Sequence, residues 1–143
     1  MSTEINKKVV RDWIEEGWNK GNIDMAEEFY SPEYRAAPMA ENEAPLVGIK
    51  AIKQLVLDVR RAFPDIHFKI NSLVAEGDMV VGAFDIEGTH QGEFFNTPAT
   101  GKKVNFTAID IWRFDSGKIV ERPVAVADFL GLLQQIGAVH RFS

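Results

Sequence analysis

The sequence contains no cysteine, which excludes disulfide bonds, thiolate metal ligands and a cysteine nucleophile. It also lacks an excess of basic residues, since 16 lysines and arginines stand against 21 aspartates and glutamates, for a formal net charge of -5. A nucleic-acid partner would require a basic stripe, so we expect none. No apolar run approaches the roughly 18 residues of a membrane span, and the segment MSTEINKK has no apolar signal core. We therefore expect a cytoplasmic protein with no membrane partner.

Two kinds of ligand motif are also missing. The three histidines, His67, His90 and His140, are far apart in the sequence, and none of the close spacings that place two histidines on one face occurs. No glycine-rich phosphate loop opens a helix. We expect no metal site and no cofactor.

The arrangement of apolar residues predicts one α+β domain over residues 1–143. Helical spacing predicts three helices, at residues 4–20, 23–30 and 48–63. A short strand at Tyr34 leads into a loop, and period-two alternation predicts four long antiparallel strands after Pro64, followed by a short helix after Asp128. Helices segregated to one side of an antiparallel sheet define the α+β class. Such a sheet curls and leaves a cavity against the helices.

The stretch from Val104 to Leu133 organises the chain. It predicts two strands joined by a tight turn at residues 115–117, because β-branched and aromatic residues fill both arms. Residues of the first arm alternate between two largely apolar faces, one with Phe106, Ala108, Asp110 and Trp112 and the other with Thr107, Ile109, Ile111 and Arg113. Burial should raise the pKa of Asp110, which makes this residue a candidate acid or base; the alternative is a structural hydrogen bond.

Three further features have two interpretations each. Asp128 ends the second arm and is either a helix cap or a catalytic carboxylate. His90 lies on the apolar face of its strand and is either a core residue or a proton carrier. The long connection over residues 91–103 carries Phe94 and Phe95, which either cover a pocket or plug the end of the sheet.

Six runs of the chain form a recognisable set: WNKGN at 18–22, YSPEY at 30–34, AFPD at 62–65, GTHQGEF at 88–94, GKIVE at 117–121 and DFLGLLQQ at 128–135. Together they resemble the SnoaL-like polyketide cyclases, also called ester cyclases, of the nuclear transport factor two-like superfamily. They span nearly the whole chain. The resemblance implies a cone-shaped barrel in which a curved antiparallel sheet packs against three N-terminal helices and a short C-terminal helix follows. It also implies a cofactor-free pocket and, often, a dimer through the outer sheet face.

The resemblance further implies which residues form the site. Polyketide-cyclising members close a ring by an intramolecular aldol condensation with an acidic residue as general acid or base. By position Asp128 matches that acid, and Asp110 and His90 match recurrent polar positions. The substrate-binding residues that we expect are Trp18, Tyr34, Phe94, Phe106, Trp112 and Arg122.

The chain departs from the family pattern in two places. Glu121-Arg122-Pro123 stands where relatives commonly carry Glu-His-Trp, and one extra residue before Asp128 predicts a bulge. In the first strand, Arg35-Ala36-Ala37-Pro38 follows Tyr34, where a histidine or asparagine is common. If Arg122 points inward it should pair with a carboxylate or an anionic ligand; if the bulge turns it outward, it should lie in solvent.

These residues predict a cyclase or isomerase in which Asp128 is the base and Asp110 or His90 returns the proton. The expected substrate is a small apolar or anionic carbonyl compound. One alternative is a binding or dimeric scaffold protein without catalysis, and another is a hydrolase with a carboxylate-activated water. We also expect a homodimer through the face of Ile109 and Ile111, because the helices can cover only one of the two apolar sheet faces.

Overall fold

The computed structural model describes residues 2–38 and 46–140. Its elements are, in chain order, α1 (Thr3–Trp13), a π-helical turn (Ile14–Asn19), a 3-10 turn (Ile23–Met25), α2 (Ala26–Phe29), β1 (Tyr30–Ala36), β2 (Leu46–Val47), α3 (Ile49–Ala62), β3 (His67–Glu76), β4 (Met79–Thr89), β5 (Lys103–Asp115), β6 (Lys118–Ala127) and α4 (Phe129–Gln135). Most of the predicted loop after β1 lies outside the described residues. In the described ranges no helix is both long and apolar enough to cross a membrane.

The six strands form one curved, open sheet in the order β2-β1-β6-β5-β4-β3. The four long strands, β3 to β6, pair antiparallel with one another, as predicted. The helices pack on one face, with α1 against β3 and β4 and with α3 against β1. The predicted α+β class is therefore confirmed. The structure adds a pairing that was not predicted, because β1 runs parallel to β6.

The helix predicted over residues 4–20 is present but changes type after Trp13. Ser2 caps α1, since its hydroxyl accepts a hydrogen bond from the N–H of Ile5 at 3.1 Å. In the π-helical turn, Gly17 lies against the Trp13 ring, and a Cβ at Gly17 would meet ring atoms at 2.4 Å. The apolar spacing did not predict this wider turn, because one inserted residue leaves the buried stripe nearly unchanged.

The β5–β6 hairpin follows the prediction closely. Ser116 and Gly117 form its two-residue turn, both with positive φ (51° and 79°), which suits the twist of a hairpin. On β5, the residues that face the helices are Phe106, Ala108, Asp110, Trp112 and Phe114, and those that face outward include Thr107, Ile109 and Ile111. The two predicted faces are therefore confirmed.

The predicted bulge lies in β6. Arg113 pairs with Glu121, but Ile111, two residues earlier on β5, pairs with Val124, three residues later on β6. The extra residue falls at Arg122-Pro123. Pro123 has no N–H to donate to the neighbouring strand. A proline is tolerated at this position because residues of a bulge are not all needed for hydrogen bonds between strands.

Helix α4 completes the sheet where β6 leaves it. The last contact of the strand is the N–H of Asp128, which donates to the carbonyl of Thr107 at 2.9 Å. Further along β5, the side-chain amide of Gln135 takes over. Its oxygen accepts from the N–H of Asn105 and its nitrogen donates to the carbonyl of Asn105, both at 2.8 Å. A side chain thus occupies the place of a strand.

Candidate active site

Asp110 lies in the middle of β5 on the face that the helices cover. Its neighbours across the sheet are both small, Gly82 on β4 and Ala125 on β6. The rings of Phe84 and Trp112 lean over Gly82, where a Cβ would meet them at 2.6 and 3.0 Å. On the other side Ala125 is exposed, so the inner face of the sheet is open to solvent beside Asp110.

The electrostatic environment of Asp110 is set by burial and by one cation. Burial raises the pKa of Asp110 to about 6, and the positive charge of Arg122 opposes this rise without cancelling it. This upward shift of the Asp110 pKa agrees with the expectation from the sequence. A carboxyl group with a pKa near neutrality can both take and return a proton at physiological pH.

Arg122 supplies that cation from the β6 bulge. It is only 7 % exposed, and its carbonyl accepts a hydrogen bond from the N–H of Ala37 at 3.1 Å. The expectation that a bulge turns Arg122 into solvent is therefore wrong, since the bulge is present and the side chain is buried. None of the ion pairs among the described residues involves Arg122 or Asp110. The expected close pairing of Arg122 with a carboxylate is also absent among the described residues. Arg122 therefore acts on Asp110 through electrostatic attraction at a distance beyond that of an ion pair.

Two tyrosines from β1 complete this cluster. The ring of Tyr30 contacts that of Tyr34 edge to face, with centroids 4.7 Å apart. Burial raises the pKa of Tyr34 to about 12; Arg122 lowers this pKa and Asp110 raises it. Burial also raises the pKa of Tyr30 well above its ordinary value, with the same two groups acting on it. Asp110, Arg122, Tyr30 and Tyr34 therefore share one electrostatic environment, which we call the Asp110 cluster.

Two polar atoms of the Asp110 cluster have no hydrogen-bond partner among the described residues. They are the hydroxyl oxygen of Tyr34 and Nε of Arg122, and both are buried. Leaving a buried donor unsatisfied costs about 1–3 kcal/mol. The crevice that these two side chains line with Ile52 and Leu55 is too narrow for a water molecule. A groove of about 350 Å³ lies at Asp65, Thr89, Lys103 and Gln135, away from the cluster.

His90 is fully buried but stands apart from the Asp110 cluster. Its Nδ1 lies 2.9 Å from the hydroxyl of Thr100, and its Nε2 has no partner among the described residues. Gly82 is the residue opposite Asp110 on β4, and His90 lies eight residues further along, roughly 25 Å at the rise of a strand. The structure thus does not bring His90 to Asp110, and its ring packs against Phe63 with centroids 5.6 Å apart.

Asp128 is the N-cap of α4. Its carboxylate accepts a hydrogen bond from the N–H of Gly131 at 2.9 Å, and the residue is exposed. A glycine suits position 131, because a Cβ there would lie 2.3 Å from the Asp128 carboxylate. The prediction that Asp110 and Asp128 face one interior cavity is therefore wrong for Asp128. Its cap interpretation is confirmed, and its catalytic role stays a prediction.

The predicted substrate-binding aromatics are spread over the fold. Trp112 is buried on the inner face next to Asp110. Phe106 lies four residues away on the same face of β5. Phe94 packs on Phe63 with centroids 5.2 Å apart, near the end of β4. Trp18 stacks on Phe68 at 4.7 Å and fixes the π-helical turn to β3. Of these aromatics, Trp112 is the nearest along the chain to Asp110.

Sequence reasoning missed Tyr30, which was predicted to end a helix. The available signal was weak: the chain has two tyrosines, and they lie four positions apart, an even spacing that suits one face of a strand. Among the described residues no group of three His, Asp or Glu side chains is arranged to hold a metal ion.

This fold and this cluster define a small α+β protein with a half-buried acid between a curved sheet and its helices. The chain matches the model of the SnoaL-like polyketide cyclase family over residues 8–136. The chain belongs to that family, as the resemblance predicted.

Individual relatives agree with the family match. Aklanonic acid methyl ester cyclase DnrD from Streptomyces peucetius is 30% identical over 138 residues, which cover 96% of this chain and 92% of the relative. The corresponding cyclase DauD from Streptomyces sp. (strain C5) is 29% identical, with 96% and 83% covered. The structure of TsrD from Streptomyces laurentii has the same fold, with a TM-score of 0.86 at 23% identity over 97% of this chain and 99% of that chain. These matches support a cyclase-type enzyme.

Proposed function

We propose that the chain is a cyclase that closes a carbon ring in a small carbonyl compound, with Asp110 as the general base. The observation that carries this proposal is a half-buried carboxyl group, whose pKa burial raises to about 6, beside a buried guanidinium group. The two curated relatives are named as cyclases of an ester. An ester or a related carbonyl compound is therefore the substrate class that we propose.

The ring closure that fits this cluster is an intramolecular aldol reaction. Ionised Asp110 removes a proton from a carbon next to a carbonyl group, and the electron pair moves onto that carbonyl oxygen to form an enolate. The enolate carbon attacks a second carbonyl carbon of the same molecule, and a carbon–carbon bond forms. The resulting alkoxide then takes the proton back from Asp110, so the carboxylate is regenerated.

Arg122 and Tyr34 are suited to hold the oxygen on which negative charge develops. The guanidinium group of Arg122 carries hydrogen-bond donors and no acceptor. Tyr34 stays protonated and can donate as well, because burial raises its pKa to about 12. Each has an unpartnered polar atom in the interior, and donors already fixed before the reaction stabilise an enolate without further reorganisation. A substrate oxygen would satisfy both atoms.

A binding protein without catalysis is the second candidate, and one observation favours it. The crevice at Tyr34 and Arg122 has no room for a water molecule, so a substrate enters only if side chains move. An assay with an ester-bearing diketone that can cyclise separates the two candidates. Turnover of this compound is measured as a loss of its absorbance. A binding protein would bind this compound and return it unchanged.

Asp128 provides a test of which carboxylate is the base. In Asp128→Asn the side-chain oxygen of asparagine still caps α4, and only the titratable group is lost, so we expect turnover within about twofold of the native protein. Asp128→Ala removes the cap and should lower the free energy of unfolding by about 1 kcal/mol. Steady-state kinetics and urea unfolding measure both effects. A loss of turnover in Asp128→Asn would assign the base to Asp128, as the family resemblance implies.

We propose further that the outer sheet face joins two copies of the chain. Val74, Ile109 and Val126 are 63, 50 and 61 % exposed there, and they form a continuous apolar surface with Val81 and Ile111 across four strands. Apolar surfaces of this kind mark interaction sites.

Sedimentation velocity tests the dimer. The native protein should sediment as a dimer at micromolar concentration, and Ile109→Lys should sediment as a monomer, because each copy would bury a lysine charge at the contact. Leu57→Lys is the matched control, since Leu57 is an exposed leucine on α3, away from this face. A monomeric native protein would contradict the proposal.

A further inference from the structure

The two tyrosine rings of the chain are in contact although the residues lie four positions apart on one strand. In an uninterrupted strand, residues with this spacing share a face but lie roughly 13 Å apart, at a rise of about 3.3 Å per residue. The ring centroids of Tyr30 and Tyr34 are only 4.7 Å apart, in edge-to-face geometry. Regular strand geometry therefore does not explain this contact.

The contact depends on a bulge in β1 at residues 31–33, which we call the β1 bulge. Tyr30 and Arg35 both pair with β6 and lie five positions apart, whereas their partners on β6 lie only two positions apart, so three residues of β1 are extra. The hydroxyl of Ser31 accepts a hydrogen bond from the N–H of Glu33 at 3.1 Å, which closes the bulge. Bulges change the direction of side chains and are frequent next to active sites. The β1 bulge brings the two tyrosine rings together.

A second ring contact holds Tyr30. Trp13 meets it edge to face with centroids 5.3 Å apart, and both residues are buried. The Trp13 ring in turn lies on the π-helical turn, because Gly17 leaves open the space in which a Cβ would lie 2.4 Å from ring atoms. Turns of this kind occur frequently at functional sites. The contacts thus run from the π-helical turn through Trp13 and Tyr30 to Tyr34.

Tyr34 needs such support because its hydroxyl group does not hold the ring. This hydroxyl is buried and has no hydrogen-bond partner among the described residues. The carbonyl of Tyr34 accepts a hydrogen bond from the N–H of Gly48 at 2.6 Å, but this bond fixes only the backbone. The ring lines a crevice with Ile52 and Leu55 on one side, and Tyr30 supplies its aromatic contact. Packing alone therefore sets the position of the hydroxyl group.

We propose that Tyr30 is a positioning residue, whose ring, brought in by the β1 bulge, holds the Tyr34 hydroxyl where it can donate a hydrogen bond to a ligand oxygen. This inference rests on the proposed function, in which Tyr34 and Arg122 hold the oxygen that gains negative charge. A donor that is fixed before the ligand arrives loses little freedom on binding, so the support increases affinity. Tyr30 acts through Tyr34, and its ring is required whereas its own hydroxyl is not.

A double-mutant cycle on benzoate binding, measured by isothermal titration calorimetry, tests this inference. Tyr34→Phe removes one hydrogen bond to a carboxylate and should weaken binding roughly tenfold. Tyr30→Leu removes the supporting ring and should weaken binding roughly three- to tenfold in the native background, but less than twofold in the Tyr34→Phe background. Tyr30→Phe keeps the ring and should keep the affinity within about twofold.

Phe68→Leu is the matched control for a general loss of packing. Phe68 also makes an aromatic contact with centroids 4.7 Å apart, with Trp18, and it lies on β3, at the opposite edge of the sheet from β1 and β2. This variant should lower the melting temperature about as much as Tyr30→Leu and leave benzoate binding unchanged.

Three results would overturn the proposal. Equal losses from Tyr30→Leu in the two backgrounds would show that its effect does not pass through the Tyr34 hydroxyl. A loss in Tyr30→Phe as large as that in Tyr30→Leu would show that the hydroxyl of Tyr30 acts directly. Equal affinity of the native protein and Tyr34→Phe, or no measurable benzoate binding, would leave no donor to position. Failure of the proposed cyclase function would instead appear as no turnover of the diketone, with the coupling in benzoate binding intact.

Discussion

Asp110→Asn should lower kcat by about 10²- to 10⁴-fold, the usual contribution of a general base. Asparagine keeps the shape of the side chain and loses only the group that takes the proton. In the native protein, kcat/KM should rise with pH below about 6 and level off above it, because Asp110 must be ionised and burial raises its pKa to about 6. The residual activity of the variant should lose this pH dependence. Turnover that is unchanged in Asp110→Asn would contradict the assignment of the base.

The same substitution should make the protein more stable at neutral pH. The pKa of Asp110 is about 6 in the folded protein against an ordinary value of 3.8, so the folded state binds the proton more tightly. The free energy of unfolding therefore falls as the pH rises from about 4 to about 6, and the cost of the buried charge remains above that range. Asp110→Asn removes this cost, which is about 3 kcal/mol for the pKa difference between 3.8 and about 6.

Urea unfolding at two pH values measures this gain. The difference between Asp110→Asn and the native protein should be largest at pH 7.5 and should nearly vanish below about pH 3, where Asp110 is largely protonated in both the folded and the unfolded state. Asp115→Asn is the matched control, because Asp115 is exposed at the hairpin turn of the same strand. A variant less stable than the native protein at pH 7.5 would indicate that the Asp110 carboxylate makes a structural hydrogen bond.

Arg122→Leu should weaken binding of a small carboxylate, for which benzoate is a suitable probe, by roughly 10- to 100-fold. A hydrogen bond to a charged group contributes about 1.5–3 kcal/mol, and Nε of Arg122 has no partner among the described residues that would compete for it. Isothermal titration calorimetry with benzoate measures the change. Arg122→Lys keeps the charge without the planar fork and should recover part of the affinity. Equal affinity in the native protein and Arg122→Leu would eliminate Arg122 as an anion anchor.

Arg122→Leu should also change the pH dependence of turnover and test the contribution of Arg122 to stability. Because Arg122 lowers the pKa of Asp110, its removal should move the rise of kcat/KM to higher pH. The substitution removes an unsatisfied buried donor but also the positive charge that favours ionised Asp110, so the two effects oppose each other and the free energy of unfolding should change little. A large loss of stability would reveal a structural partner.

The sequence allowed some parts of this site to be predicted and not others. The face of Asp110 follows from strict alternation in β5, which is a local property, and the bulge follows from one extra residue and a proline in β6. The position of Tyr30 depends on β1 running parallel to β6, a pairing between Tyr30 and Ile119 that no local pattern specifies. Asp128 was ambiguous because the same carboxylate at the start of a helix suits a cap and a base equally well. Only the register of the folded chain separates the two.

The amide of Gln135, which bonds both backbone groups of Asn105, also covers part of the edge of β5. Where β6 turns away, β5 would otherwise present a free N–H and a free carbonyl to any passing extended chain, and such unpaired groups act as templates for intermolecular strand addition. A single side chain saturates both groups, so the sheet stops growing at this point. We therefore expect Gln135 to contribute to solubility as well as to the position of α4.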